Sequence, residues 1–140
     1  MDHIIPVFKP VGPTSHDVVD AVRRATGEKT VGHAGTLDPL ASGVLVIGIG
    51  RAATRKLAAI VGSEKEYVAT VRLGVATASL DAEGVVTETR EVDLDVLRDP
   101  ALLDAALEAE RLRTSQVPPV VSAIKIEGRS AHARVRSGEV

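Results

Sequence analysis

Phe8 and Tyr67 are the only aromatic residues in the chain, and there is no cysteine or tryptophan. A core built from this sequence must therefore be filled by Val, Leu, Ile and Ala, with neither large rings nor disulfides to help. It also sets Tyr67 apart, because a lone Tyr in an aliphatic chain invites a reason for its presence. Without cysteine there is no thiolate metal site. The four histidines (His3, His16, His33 and His132) show no paired ligand spacing, so no metal is expected.

The chain's 140 residues suffice for one domain with a real core. No stretch approaches the roughly 18 apolar residues of a membrane span. No basic segment precedes an apolar run at the N-terminus. A cytoplasmic protein without membrane contact is the expectation. The net charge of −2 alone argues against a nucleic-acid partner, but its distribution is permissive. Residues 1–72 carry +2, residues 73–112 carry −7 and residues 113–140 carry +3, so a basic face is compatible with an acidic whole.

Apolar patterning predicts a short strand over Ile4–Phe8, ended by the Pro and Gly of Lys9-Pro10-Val11-Gly12-Pro13. Thr14 has the chemistry of a helix N-cap, with Asp17 as the reciprocal acid of a capping box. Val18, Val19 and Val22 form that helix's apolar face, and Gly27 ends it. Val31 to Gly43 is too rich in Gly, Thr, Asp and Pro for regular structure and reads as a loop. A buried strand is expected over Val44–Ile49, and a helix over Arg51–Val61 closed by Gly62. Tyr67 to Leu73 alternates as a half-buried strand does. Asp81 to Gly84 reads as a solvated turn into a strand over Val85–Thr89. Asp99-Pro100 starts a helix that continues through Leu102, Leu103, Ala106 and Leu107 to Leu112. Pro118-Pro119 breaks the chain before a strand-like stretch, Val120–Ile126. There is no regular β-α-β rhythm. The expected fold class is α+β, a mixed, mainly antiparallel sheet with flanking helices.

Chemistry concentrates in Gly32-His33-Ala34-Gly35-Thr36-Leu37-Asp38-Pro39-Leu40-Ala41-Ser42-Gly43. Three glycines, a proline and an acid between two apolar runs make a loop through which a ligand can approach backbone. By residue type alone, Asp38 is equally a turn former before Pro39 and a functional carboxylate. No Gly-Lys-Ser/Thr follows, which excludes a phosphate-binding loop of the usual type.

The segment GHAGTLDPLASGVL, residues 32–45, closely resembles the central motif of the TruB family of tRNA pseudouridine synthases. KPVGPTSHDVV (9–19), KEYVATVRLG (65–74), ATASLDAEG (76–84) and QVPPVVSAIKIEG (116–128) resemble further family segments, in family order. The resemblance implies a pseudouridine-synthase-like fold. It also implies an isomerase that converts the T-loop uridine at tRNA position 55 to pseudouridine, with no cofactor and no metal. Asp38 is then the catalytic residue, as nucleophile or base. Tyr67 stacks on the flipped uracil, His33 fills space the base vacates, and Lys9 is a structural and RNA-facing element. Thr36 and Leu37 shape the loop.

Two features depart from the family pattern. His132 stands where the family usually has Tyr. The family's catalytic domain also continues past the point matching Val140, through a Gly-Thr-Tyr-Ile-Arg-like motif whose Arg pairs with the catalytic Asp, to a small RNA-binding domain. The expectation is that residues 1–140 are the N-terminal portion of the catalytic domain. Two alternatives accompany this reading, a guide-RNA-dependent relative and a catalytically silent RNA-binding or RNA-folding module. The partner in each case is RNA, tRNA through its T-arm in the leading one.

Overall fold

The computed structural model describes residues 2–115 and the strands Lys125–Ile126 and Arg129–Ser130. It divides into two compact units, residues 1–68 and 69–140.

The first unit begins with β1 (His3–Lys9) and α1 (Ser15–Thr26), followed by β2 (Val31–His33), β3 (Gly43–Ile49) and α2 (Arg51–Val61). The three strands form one antiparallel sheet in the order β1-β3-β2. The start of α1 is local chemistry. Thr14 Oγ1 accepts from Asp17 N at 3.1 Å, and Asp17 Oδ2 accepts from Thr14 N at 2.8 Å, completing the capping box. Gly27 ends the helix at φ 69°, left-handed backbone that favours glycine.

Alternation along β3 divides the sheet's two faces. Leu45, Ile47 and Ile49 point one way and pack with Val18 and Val19 of α1 and Val31 of β2. Ile5, Val7, Val22 and Leu37 close around them. This aliphatic cluster is the core, and each fully buried Leu or Ile contributes roughly 1.5–3 kcal/mol. On the opposite face Gly32 and Gly48 lie side by side under α2. A Cβ at Gly48 would stand 3.1 Å from Leu57 Cδ1, so glycine is what lets Leu57 seat on the strand. Asp2 secures the same helix across 50 residues, its Oδ1 accepting from Ala52 N at 2.8 Å.

The second unit contains β4 (Val75–Thr77) and β5 (Val86–Thr89), α3 (Leu94–Arg98) and α4 (Pro100–Arg111), and β6 (Lys125–Ile126) with β7 (Arg129–Ser130). β4 pairs with β5, and β6 with β7, each antiparallel. Among the described residues every strand pairing is antiparallel, and the class is α+β. Asp99 Oδ1 accepts from Ala101 N at 2.9 Å with Pro100 opening α4. The turn before β5 is held by Asp81 Oδ1, which accepts from Glu83 N at 3.0 Å and from Ser79 Oγ. Those two bonds hold the Asp81 carboxyl below its ordinary pKa, the Ser79 hydroxyl contributing most.

Several expectations are corrected. The stretch Val31 to Gly43 is not all loop, because Val31–His33 is a strand paired with Gly48 and its neighbours on β3. Its one apolar residue gives no periodicity, and only the partner strand makes it regular. Tyr67 to Leu73 is not a strand. The alternation is there, but among the described residues no strand pairs with it, and Tyr67, Val68, Val71 and Leu73 are all exposed. β4 and α3 were not expected, and β5 begins at Val86. The expected strand over Val120–Ile126 falls outside the described residues except for Lys125–Ile126. Pro118, Pro119 and His132 also lie outside them.

Candidate active site

The segment between β2 and β3 carries Asp38, and the stretch from Lys9 to Ser15 holds it from one side. Lys9 ends β1 and is fully buried. Its Nζ donates to Ala41 O at 2.7 Å and to Pro10 O at 2.9 Å. Bonds of this kind, from a charged donor, contribute about 1.5–3 kcal/mol each and offset part of the cost of burying an ammonium. Gly12 N donates to Pro39 O at 2.8 Å. Ser15, also buried, bonds Leu37 twice: its Oγ donates to Leu37 O at 2.9 Å and accepts from Leu37 N at 2.8 Å. The loop closes on itself where Ala41 N donates to Asp38 O at 3.0 Å.

Asp38 itself is exposed. Among the described residues its carboxylate makes no hydrogen bond or ion pair. Turn-forming aspartates elsewhere in the chain behave differently. Asp81 accepts from Glu83 N, Asp93 from Asp95 N and Val96 N, and Asp99 from Ala101 N. Each spends its carboxylate on nearby backbone, as an Asx turn or cap requires. Asp38 shapes its turn only through its backbone carbonyl.

His33 is half-buried at the end of β2, and its Nδ1 lies 2.7 Å from Gly35 O. A carbonyl only accepts, so Nδ1 carries the hydrogen and Nε2 is the acceptor of the neutral ring. Beside the loop is a cleft of about 850 Å³. Val44 and Val46 of β3 line it, on the face that α2 covers further along the strand, as do Ile60 of α2 and Tyr67. Tyr67 is 65% exposed. Leu37 and Leu40 line the cleft, whereas Asp38 between them does not.

The structure thus places His33, Asp38 and Tyr67 on or next to one loop and its cleft. Lys9 belongs to the same locale but beneath it, where its ammonium serves loop carbonyls. Sequence reasoning missed Ser15 and Gly12, because a serine at the first position of a helix carries no periodic or motif signal of a partner 22 residues away. Among the described residues no group of three or more His, Asp or Glu side chains is arranged to hold a metal. No helix among them is long and apolar enough to cross a membrane.

The family description "TruB family pseudouridylate synthase (N terminal domain)" matches residues 23–140. The chain belongs to the TruB family. It is 53% identical over 136 residues to the tRNA pseudouridine synthase B of Cutibacterium acnes, covering 97% of this chain and 45% of that protein. It is 50% identical over 138 residues to the tRNA pseudouridine synthase B of Thermobifida fusca, covering 99% and 46%. The chain spans less than half the length of these curated TruB relatives. Among solved structures, a chain of an H/ACA RNP bound to a substrate RNA containing 2′-deoxyuridine is 45% identical, over 40% of this chain and 17% of that one. The TM-score is 0.38, too low for the likeness to bear on the fold.

Proposed function

We propose that the protein to which these residues belong isomerises uridine to pseudouridine in tRNA, at position 55 of the T-loop, and that Asp38 is its catalytic carboxylate. The observation that carries the assignment to Asp38 is its unspent side chain. A turn former before proline would be expected to bond local N–H groups, as Asp81, Asp93 and Asp99 do. Asp38 instead sits on a loop fixed through the backbone, with its carboxylate exposed and uncommitted.

The reaction detaches uracil from the ribose, rotates it and rejoins it through carbon. Product and substrate are isomers, so no redox partner is consumed. The target base is buried by stacking in the RNA and must be flipped out before any protein group reaches it. Tyr67, exposed at the cleft, offers the flipped uracil an aromatic face, an interaction of roughly 1–3 kcal/mol per base. His33 occupies the space the base leaves. Lys9 acts from below by holding Ala41. Asp38 serves as nucleophile or base at the nucleoside. Residues 1–140 form the N-terminal portion of the catalytic domain, and the carboxylate's cationic partner is an Arg of the family's Gly-Thr-Tyr-Ile-Arg-like motif. The work takes place in the cytoplasm, on the T-arm.

The test compares the full-length protein with its Asp38→Asn variant on an unmodified tRNA transcript. Asn keeps the shape and removes the charge. With no side-chain hydrogen bond to lose, its melting temperature should stay close to that of the parent. Pseudouridine should form at the T-loop with the parent and be undetectable with the variant. Near-normal conversion by Asp38→Asn would remove the aspartate from the mechanism, and modification outside the T-loop would refute the site.

A further inference from the structure

We infer that Ser15 is a positioning residue for Asp38, acting through Leu37. The inference rests on the reading of Asp38 as the catalytic carboxylate. Ser15 is the first residue of α1, but its hydroxyl does not cap that helix, since Thr14 does so. It turns away and engages the N–H and the C=O of a single residue, Leu37, at 2.8 and 2.9 Å. A hydroxyl has one hydrogen to donate and lone pairs to accept with, so both bonds coexist.

The geometry has a specific consequence. The N and O of one residue are related by its ψ angle, so tying both to one oxygen fixes ψ of Leu37. That angle orients the peptide plane leading into Asp38. On the far side Pro39 restricts the backbone of Asp38 to extended conformations, and Gly12 N holds Pro39 O. Backbone has only two soft dihedrals per residue. With ψ37 fixed before Asp38 and Pro39 held after it, the direction of the Asp38 Cα–Cβ bond is set by the frame and not by the side chain. Ser15 is 2% exposed, so water does not replace the hydroxyl without rearrangement. Truncating it leaves the Leu37 N–H and C=O without this partner and frees ψ37.

The experiment uses full-length protein and its Ser15→Ala and Asp38→Asn variants on the same tRNA transcript. It measures single-turnover pseudouridine formation at saturating enzyme, tRNA dissociation constants and melting temperatures, with turnover assayed well below every melt. For Ser15→Ala the single-turnover rate should fall roughly 10- to 100-fold, the loss a misplacement of about 1 Å produces, while tRNA affinity changes less than about 3-fold. A purely structural serine would lower the melting temperature and leave the rate of the folded, RNA-bound enzyme unchanged. That result overturns the inference. Ser15→Cys places a larger atom, a weaker donor and acceptor, at the same position, and its rate should lie between serine and alanine. If Ser15→Ala does not fold, Ser15→Cys decides: a reduced rate at unchanged affinity supports positioning, and a wild-type rate overturns it. Asp38→Asn separates the two levels. An inactive Asp38→Asn beside a fully active Ser15→Ala refutes only the role of Ser15. An active Asp38→Asn refutes the assignment of Asp38 and this inference with it.

Discussion

Replacing Gly48 with Ala tests whether the contact between α2 and the sheet is as tight as the geometry states. The added Cβ would meet Leu57 Cδ1 and Cγ at 3.1 Å and Cδ2 at 3.2 Å. Carbon atoms in good contact stand about 3.5–4.0 Å apart, so three atoms of one buried side chain must retreat together. Overpacking of this kind costs about 1–3 kcal/mol, and replacing a strand glycine returns roughly 0.5–1 kcal/mol of backbone entropy. The expected net loss is about 0–2.5 kcal/mol. Leu57→Ala alone should cost about 2–5 kcal/mol, because Leu57 is buried and its removal leaves a cavity under α2. Combined, the two should cost less than their sum by about 1 kcal/mol, since the new Cβ then points into space that Leu57 has left. Urea unfolding followed by circular dichroism on all four proteins measures the coupling. Additive costs within about 0.3 kcal/mol would refute the close approach. The contact also bears on the proposed site, for Val44 and Val46 lie on the same face of β3 as Gly48 and line the cleft.

Tyr67→Leu should leave stability within about 0.5 kcal/mol, because the ring is largely exposed, yet slow single-turnover chemistry about tenfold or more through lost stacking. A large melting shift with normal chemistry would instead mark Tyr67 as a packing residue. Asp17 has a carboxyl held below its ordinary pKa of 3.8, chiefly by the Thr14 hydroxyl and then by the Thr14 N–H. A lowered folded pKa contributes stability that is present above the unfolded value and lost as pH falls through the folded one. The melting-temperature gap between parent and Asp17→Ala should therefore be steady at neutral pH and close as pH drops below 3.8, and a gap independent of pH would refute the charged cap.

What the sequence revealed follows the range of the interactions involved. The capping box of Thr14 and Asp17, the stop at Gly27, the limits of α2 and the start of α4 at Asp99-Pro100 are set within a few residues. Pattern reading therefore located them. β2 and the stretch from Tyr67 to Leu73 went wrong in opposite directions for one reason. A strand exists only with a partner, and neither the pairing of Val31 with Ile49 nor the lack, among the described residues, of one near Val71 is written in local alternation. The candidate site divides likewise. The residues proposed for it come from the resemblance to the TruB motif, whereas the exposed Asp38 carboxylate, without a hydrogen bond among the described residues, and the reach of Ser15 to Leu37 required coordinates. Gly48 reads as an interruption of an apolar run, and its reason lies in Leu57 on the next helix.

The way the loop is held addresses a difficulty that a side chain with the role proposed for Asp38 faces on any loop. Loops place functional groups less accurately than strands or helices, and productive geometry tolerates errors of about 0.5 Å. Here one short stretch of chain, Lys9 to Ser15, supplies three kinds of donor, an ammonium, a backbone N–H and a hydroxyl, to Ala41, Pro39 and Leu37. These residues lie on both sides of Asp38, so the backbone beneath it is fixed almost as a strand partner would fix it. None of the three donors touches the carboxylate. Among the described residues the Asp38 side chain, which is exposed, makes no hydrogen bond, as the role proposed for it requires. A direct bond to Lys9 would have anchored the carboxylate equally well and neutralised it at the same time. Burying the ammonium under the carbonyls of Pro10 and Ala41 separates the two tasks, holding the loop with a cation while leaving the Asp38 carboxyl available for the role proposed for it.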